Sequence, residues 1–232
     1  MKQFSLILCS LFFMACPATL EDFIEVPLSD ADIAKGLREA LNLGTTDAVD
    51  FLSIEDGFYR SIYKILLPEE ARVVTDRLKI IPGFSNVEEV ILEKINRAAE
   101  DAAKSAGPIF LDAITSMTIS DALGILMGEQ NAATTYLHQQ TYSSLYNEFQ
   151  PVILNSLNKF NAVQYWEDAV TKYNQVPFVK DVNPRIDDYV ADEALKALFG
   201  LIAEKELGIR TDISQRITPL LQRVFKKQDD PS

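Results

Sequence analysis

The chain has 232 residues, of which 47% are hydrophobic and 24% are charged, the balance of an ordinary globular protein. Its 34 acidic and 22 basic side chains give a net charge of −12, which repels phosphate backbones and anionic lipid surfaces. This charge argues against nucleic-acid binding, and the length fits one or two domains.

The first 15 residues have the layout of a secretory signal peptide. Lys2 precedes an apolar stretch over residues 4–14, and the small residue Ala15 follows it. The stretch is too short to span a membrane, which needs about 20 apolar residues. We therefore expect residues 1–15 to direct export and to be removed.

Cys16 is the predicted site of a lipid anchor. Cys9 leaves with the signal peptide, so Cys16 would be the only cysteine of the mature chain and no intramolecular disulfide could form. A cysteine directly after Ala15 resembles the lipobox of bacterial lipoproteins, in which this residue is acylated. Ordinary cleavage after Ala18 is the alternative, and the sequence leaves it open.

The residues after the anchor form a predicted acidic tether over 16–27. Its charge disfavours flat adsorption of the domain onto anionic lipid. Pro17, rather than an acidic residue, follows Cys16, which favours sorting to the outer membrane with the domain facing the periplasm. Without acylation we expect a soluble periplasmic protein.

Residues 28–228 are predicted to form one all-α domain of roughly eight to ten helices. Ser29, with an acidic residue three positions later, predicts a capped helix that stops at Gly44. Ser85 has the same pattern and predicts a helix that stops at Gly107. Apolar residues at helical spacing follow both caps.

The second half of the chain continues the helical pattern. Thr118 and Asn131 are predicted N-caps, and Thr218 is predicted to open a short terminal helix. Pro151 falls inside a long periodic segment, where it predicts a kink or break. The apolar run over residues 61–68 is a candidate extended segment, but one such run without partners does not make a sheet.

The titratable residues do not form a catalytic pattern. His138 is the single histidine, and the sequence places no orienting carboxylate at a useful spacing. With one histidine and one mature cysteine, the familiar zinc ligand sets are nearly excluded. We therefore predict no catalytic residue, no metal site and no cofactor.

Two neighbouring helical segments carry aromatic side chains that can line an apolar pocket or a partner surface. They are Tyr136, Tyr142, Tyr146, Tyr165, Trp166 and Tyr173. Aromatic residues at helical spacing are equally typical of ordinary core packing, and the sequence leaves both interpretations open.

Several separate blocks match, in order, a bacterial family catalogued as domain of unknown function 4197. The blocks are LSDADIAKGLREAL, LPEEARVV, INRAAEDAAKSAGPIFLDAITSMTISDALGIL, YWEDAVTKYNQVPFVKDVNPRIDDYV and EALKALFGLIAEKE. The chain resembles this family over nearly all of residues 28–225. The resemblance implies an exported helical protein and no particular activity or cofactor.

These observations predict a cell-envelope lipoprotein with a helical binding domain. Its partner would be either an envelope protein or an apolar small molecule held between helices. The lipid anchor would attach the protein itself to the membrane. The alternative is a carboxylate-based hydrolase or a metal-dependent enzyme of the periplasm, whose acidic residues meet only in the fold.

Overall fold

The computed structural model describes residues 27–80, 83, 85–159, 162–175, 177–179 and 186–229, except for the side chains of Glu70, Ala162, Tyr165 and Lys227. The predicted signal peptide and the predicted lipid-attachment site Cys16 lie outside these residues, as does the predicted tether up to residue 26.

The described part of the chain contains nine α-helices and no strand, which confirms the predicted all-α domain. The helices are α1 (Asp30–Ser53), α2 (Glu69–Leu78), α3 (Val87–Ala103), α4 (Ala106–Ser116), α5 (Ile119–Leu126), α6 (Ala132–Lys159), α7 (Ala162–Asn174), α8 (Asp187–Thr211) and α9 (Pro219–Phe225). Two short 3-10 helices cover Ile213–Gln215 and Lys226–Gln228.

Capping side chains begin three helices where the sequence predicted them. The Ser29 hydroxyl accepts the backbone N–H of Asp32 at 3.1 Å, and the Asp32 carboxylate accepts the Ser29 N–H in return. Thr118 forms the same reciprocal pair at the start of α5. Thr218 caps α9 by accepting the N–H of Leu221 at 3.2 Å. These signals are local, so the sequence predicts them well.

The two glycines predicted to end helices do not do so. α1 continues through Gly44 to Ser53, while α3 ends at Ala103 and Gly107 lies inside α4. Neither glycine adopts the positive φ that ends a helix. Gly44 instead lies against α8, where an added Cβ would contact Lys205 at 3.5 Å. The prediction was wrong because Gly44 serves helix packing rather than termination.

The predicted cap at Ser85 was also wrong. Asn86 is the N-cap of α3, and its side chain makes no capping hydrogen bond. The carboxylate of Glu88, expected to reach back to Ser85, instead forms an ion pair with Lys79 at 2.6 Å. This pair joins the end of α2 to the start of α3.

Pro151 does not break α6, which is continuous from Ala132 to Lys159. A proline inside a helix removes one hydrogen bond and costs about 3 kcal/mol. Phe149 and Ile153 on either side of it are fully buried. Burial of these large apolar side chains opposes that cost and keeps the helix in one piece.

The long helices α6 and α8 run antiparallel at the centre of the fold. Hydrogen bonds join Tyr142 to Asp192 and Tyr146 to Asp188, so residue numbers rise along one helix as they fall along the other. α1 packs along α8, α3 and α4 pack on α6, and α7 packs against α2 and α6. α9 closes against the first half of α1.

The segment between α1 and α2 is irregular and carries the predicted extended run. Asp56 adopts a positive φ of 69° as the chain turns after α1. Further on, the Asn96 side chain bonds both backbone groups of Ile65, accepting its N–H at 2.8 Å and donating to its carbonyl at 2.9 Å. A side-chain amide of α3 thus takes the place of a partner strand.

No single helix among the described residues has both the length and the apolarity needed to cross a membrane. α4 and α5 meet that criterion only together, as a pair bent by 101°.

Candidate binding groove

An open groove of about 650 Å³ lies between the end of α1, the irregular segment after it, and α8. Its lining includes Phe51, Arg60, Ile62, Tyr63, Leu201 and Glu204. The Phe51 and Tyr63 rings meet edge to face, with centroids 6.1 Å apart and an interplanar angle of 78°. We call this feature the groove.

Large apolar side chains in the groove are exposed to solvent. Ile62 is 86% exposed and Phe51 is 44% exposed, while Leu201 forms a buried floor. Contiguous exposed apolar surface of this kind is typical of interaction sites, whereas single exposed apolar residues are common everywhere.

The hydroxyl of Tyr63 is buried in the groove wall, beside the carboxylate of Glu204. Burial, and then the neighbouring Glu204 carboxylate, raise the pKa of Tyr63 from 10.0 to about 12. The phenol therefore stays protonated at neutral pH.

Charged side chains flank the apolar walls. The Arg60 side chain is 75% exposed, and its Nε atom lies 3.5 Å from Oδ2 of Asp56. The Nζ atom of Lys205 lies 3.2 Å from Oδ2 of Asp47. Exposed ion pairs of this kind contribute little to stability. The two cations lie on the same groove as the carboxylate of Glu204, so the rim offers both signs of charge to a partner.

Two predicted aromatic residues of α6, Tyr142 and Tyr146, face α8, whereas Tyr136 lies near Asp121 of α5. The Tyr142 hydroxyl donates to Asp192 at 2.7 Å and the Tyr146 hydroxyl donates to Asp188 at 3.2 Å. The ring of His138, one turn earlier, stacks on Tyr142 with centroids 4.9 Å apart. Tyr136, Tyr142 and Tyr146 are all half-buried, so a role in binding remains a prediction for these residues.

The predicted aromatic residues of α7 lie elsewhere. Trp166 and Tyr173 are 2% and 5% exposed and belong to the hydrophobic core. The guanidinium of Arg77, on α2, lies 6.0 Å from the centre of the Tyr173 ring. The side chain of Tyr165 lies outside the described part. The structure thus joins Tyr142 and Tyr146 on one face and places Trp166 and Tyr173 in the core.

Two buried carboxylates outside the set of predicted site residues bind backbone N–H groups. Glu206, on α8, accepts the N–H groups of Ala133 and Thr134 at the start of α6, at 2.9 and 2.7 Å. Arg210 pairs with it at 2.9 Å. A carboxylate at a helix N-terminus satisfies donors that have no partner within the helix.

Glu100, on α3, binds backbone N–H groups of the irregular segment in the same way. Its carboxylate accepts the N–H groups of Phe58 and Tyr59, both at 3.1 Å, and pairs with Arg97 at 2.8 Å. Both buried carboxylates therefore organise the backbone. Within the described residues, no group of three or more His, Cys, Asp or Glu side chains is arranged to hold a metal ion.

Sequence reasoning missed the groove because its members are far apart in the chain. Phe51 ends a helix, Ile62 and Tyr63 lie in an irregular segment, and Leu201 and Glu204 come from α8. The apolar run over residues 61–68 was the one local signal, and it predicted only an extended segment.

A family model described as "Protein of unknown function (DUF4197)" matches residues 27–226. The chain belongs to this family. The match confirms the resemblance seen in the separate sequence blocks. No curated protein and no solved structure gives a significant match to this DUF4197 chain.

Proposed function

We propose that this DUF4197 protein is a lipid-anchored protein of the bacterial cell envelope that binds a protein partner through the groove. The anchor is Cys16, attached to the membrane by acyl chains, and the domain faces the periplasm from the outer membrane. The sequence before residue 28 supports the anchor, and the groove supports the binding role.

The exposed side chain of Ile62, which lines one groove with Phe51, is the observation that carries the binding proposal. Covering exposed apolar side chains removes them from water, and this contact stabilises a complex. We expect the partner to place an apolar side chain against Phe51 and Ile62. An open groove is better suited to binding a protein surface, whereas small molecules are usually bound in more enclosed pockets.

A carboxylate-based enzyme has weaker support. Catalytic carboxylates need free oxygen atoms directed into a cleft, often with raised pKa values. Three carboxylates are buried in the described part of the chain. Glu100 and Glu206 are occupied by backbone N–H groups and arginines, and Asp187 accepts the side-chain amide of Gln150 at 2.8 Å. The binding function therefore accounts for more of the observed geometry.

The anchor is tested by the intact mass of the mature protein from its membrane fraction. Acyl chains on Cys16, lost together with membrane retention in Cys16→Ser, are the expected result. An unmodified N-terminus at Thr19 would contradict the proposed anchor and indicate ordinary cleavage after Ala18.

The groove is tested by placing a photo-crosslinking amino acid at Ile62 in cells, with Asn147 on the exposed face of α6 as the matched control position. We expect an adduct of defined mass from Ile62 alone. The identified partner, once purified, should bind the unmodified protein and lose about tenfold in affinity with Ile62→Ser, equivalent to about 1.4 kcal/mol.

Two results would overturn the binding proposal. Equal adducts from Ile62 and Asn147 would show that contact is not specific to the groove. A co-purifying small amphiphile that Ile62→Ser releases would make the ligand a small molecule instead of a protein.

A further inference from the structure

The end of the bundle opposite the groove is built by the start of α1, the end of α8, residues 212–218 and α9. We call it the α9 end. Gly36 of α1 meets Val224 of α9 so closely that an added Cβ would lie 2.6 Å from its Cγ2 atom. Gly36 and Phe51 are about 22 Å apart along α1, at 1.5 Å per residue. The groove and the α9 end therefore lie towards opposite ends of this helix.

Three large apolar side chains project into solvent around the α9 end. Met127 is 79% exposed, Ile217 is 69% exposed and Ile213 is 61% exposed. Ile213 and Ile217 lie in the connection between α8 and α9. The side chain of Gln228 donates to the carbonyl of Leu126 at 2.7 Å, which brings the end of α5, and Met127 with it, beside the last turn of the chain.

Three carboxylates at the α9 end have local partners. Asp212 accepts the N–H and the hydroxyl of Ser214, and Asp229 pairs with the buried Arg216 at 2.6 Å. The hydrogen bonds from Ser29, then the charges of Arg223 and Lys35, lower the pKa of Asp32. These three acidic side chains thus lie beside cations or cap backbone groups, which lessens their repulsion from a membrane.

We propose that the α9 end rests on the membrane, with Met127, Ile213 and Ile217 in the interfacial layer of the lipid and the groove directed away from it. This inference uses the anchor at Cys16 from the proposed function. The 13 residues between Cys16 and Asp30 reach at most about 45 Å when fully extended, and they join the domain at this end. The anchor therefore attaches to the domain at the α9 end, and the exposed apolar side chains there select this end for contact with lipid.

Apolar side chains supply the contact, and cations on the same end support it. The strength of interfacial attachment grows with the apolar area that is buried in the lipid. The tether also raises the effective concentration of the domain at the membrane surface. Because the whole chain carries a charge of −12, we expect contact with zwitterionic lipid to suffice. A broad, flat contact with anionic lipid would oppose that charge.

The test uses tryptophan fluorescence in vesicles of phosphatidylethanolamine with a minority of phosphatidylglycerol. The mature chain, beginning at Cys16, is coupled through that thiol to a maleimide phospholipid, which gives the same tether whether or not the cell acylates it. Met127→Trp reports on the α9 end and Ile62→Trp reports on the groove. The native Trp166 is 2% exposed and provides a constant buried background.

With brominated acyl chains in the vesicles, we expect Met127→Trp to lose most of its added emission and to shift to shorter wavelength. We expect Ile62→Trp to keep its emission. Ile217→Trp is the second reporter of the α9 end and should follow Met127→Trp. Substitution at these exposed positions leaves the core intact.

Equal quenching at both ends, quenching at Ile62→Trp alone, or no quenching at either end would overturn the proposed orientation. The intact mass of the native protein separates this inference from the anchor itself. A native chain without acyl groups refutes the anchor, while quenching of the coupled protein still decides whether the α9 end contacts lipid.

Discussion

The carboxylate of Glu206 accepts two hydrogen bonds from Thr134, one from the backbone N–H and one from the hydroxyl, each at 2.7 Å. The partner of Glu206 in the same pair, Arg210, donates to the carbonyl of Ile125 at 2.9 Å. An anion thus lies at the start of α6 and a cation at the end of α5, as the two helix dipoles favour. One buried ion pair joins three helices.

Removal of Glu206 should therefore be costly. We expect Glu206→Ala to lower the free energy of unfolding by about 3–5 kcal/mol, because it leaves Arg210 buried without its counter-ion. Urea denaturation measures the change. Glu148→Ala, on the exposed face of α6, is the matched control, expected to stay within about 0.5 kcal/mol of the unmodified protein. Similar losses in both variants would contradict a specific role for Glu206.

Alanine substitution should have opposite effects on stability at Gly36, which lies close to Val224, and at Gly200, which has open space beside it. Gly36→Ala should destabilise the fold by about 1–3 kcal/mol, because the new methyl group displaces α9 from α1. Gly200, inside α8, has open space where an added methyl group would lie, so Gly200→Ala should stabilise by about 0.4–1 kcal/mol. Thermal unfolding of both variants gives the signs, and a stabilising Gly36→Ala would refute the close contact.

Asn96 substitutes for a missing strand, so its loss should unsettle the irregular segment. Asn96→Ala leaves the backbone N–H and carbonyl of Ile65 buried without partners, and we expect a cost of about 1–3 kcal/mol. Hydrogen exchange at the Ile65 amide should accelerate more than exchange in α6. Asn42→Ala, on the exposed face of α1, should leave both measurements unchanged. Unaltered exchange at Ile65 would rule out the bridging role.

Stability should depend on Tyr142 in alkaline solution. Its hydrogen bond to Asp192, followed by burial and the charge of that carboxylate, raises the pKa of Tyr142 from 10.0 to about 12. The native phenol then keeps its proton where the unfolded one loses it. The contribution of this group is complete below pH 10 and falls as the pH rises towards 12.

Urea denaturation between pH 10 and pH 12 measures this loss of folding stability. Tyr142→Phe should give a shallower decline, and Asp192→Asn should move the tyrosinate absorbance change of Tyr142 to lower pH. An identical decline in Tyr142→Phe and the unmodified protein would contradict this assignment.

Local signals predicted most of the helices. Ser29, Thr118 and Thr218 cap helices as expected, because a hydroxyl needs only its own next turn to do so. Gly44 was misread because it packs against α8, and the break predicted at Pro151 does not occur because buried neighbours hold α6 together. Their effect on the helix is decided by tertiary contacts, which no window of sequence contains.

The candidate site was harder to predict than the fold. The aromatic pattern left a binding surface and ordinary core packing both open, and it could not separate Tyr142, on the α8-facing side, from Trp166, in the core. Ile62 and Tyr63 have no helical periodicity. Their meeting with Leu201 depends on how α1 ends and on the positive φ of Asp56, which redirects the chain.

The contact between α1 and α9 joins the first and last helices of the described chain. Because synthesis begins at the N-terminus, α1 emerges long before α9 exists, and Leu37 and Leu41 on its inner face have no final cover until then. Contacts so distant in sequence form slowly. The nascent chain therefore passes through an interval with exposed apolar surface, and in that interval it has most need of a chaperone.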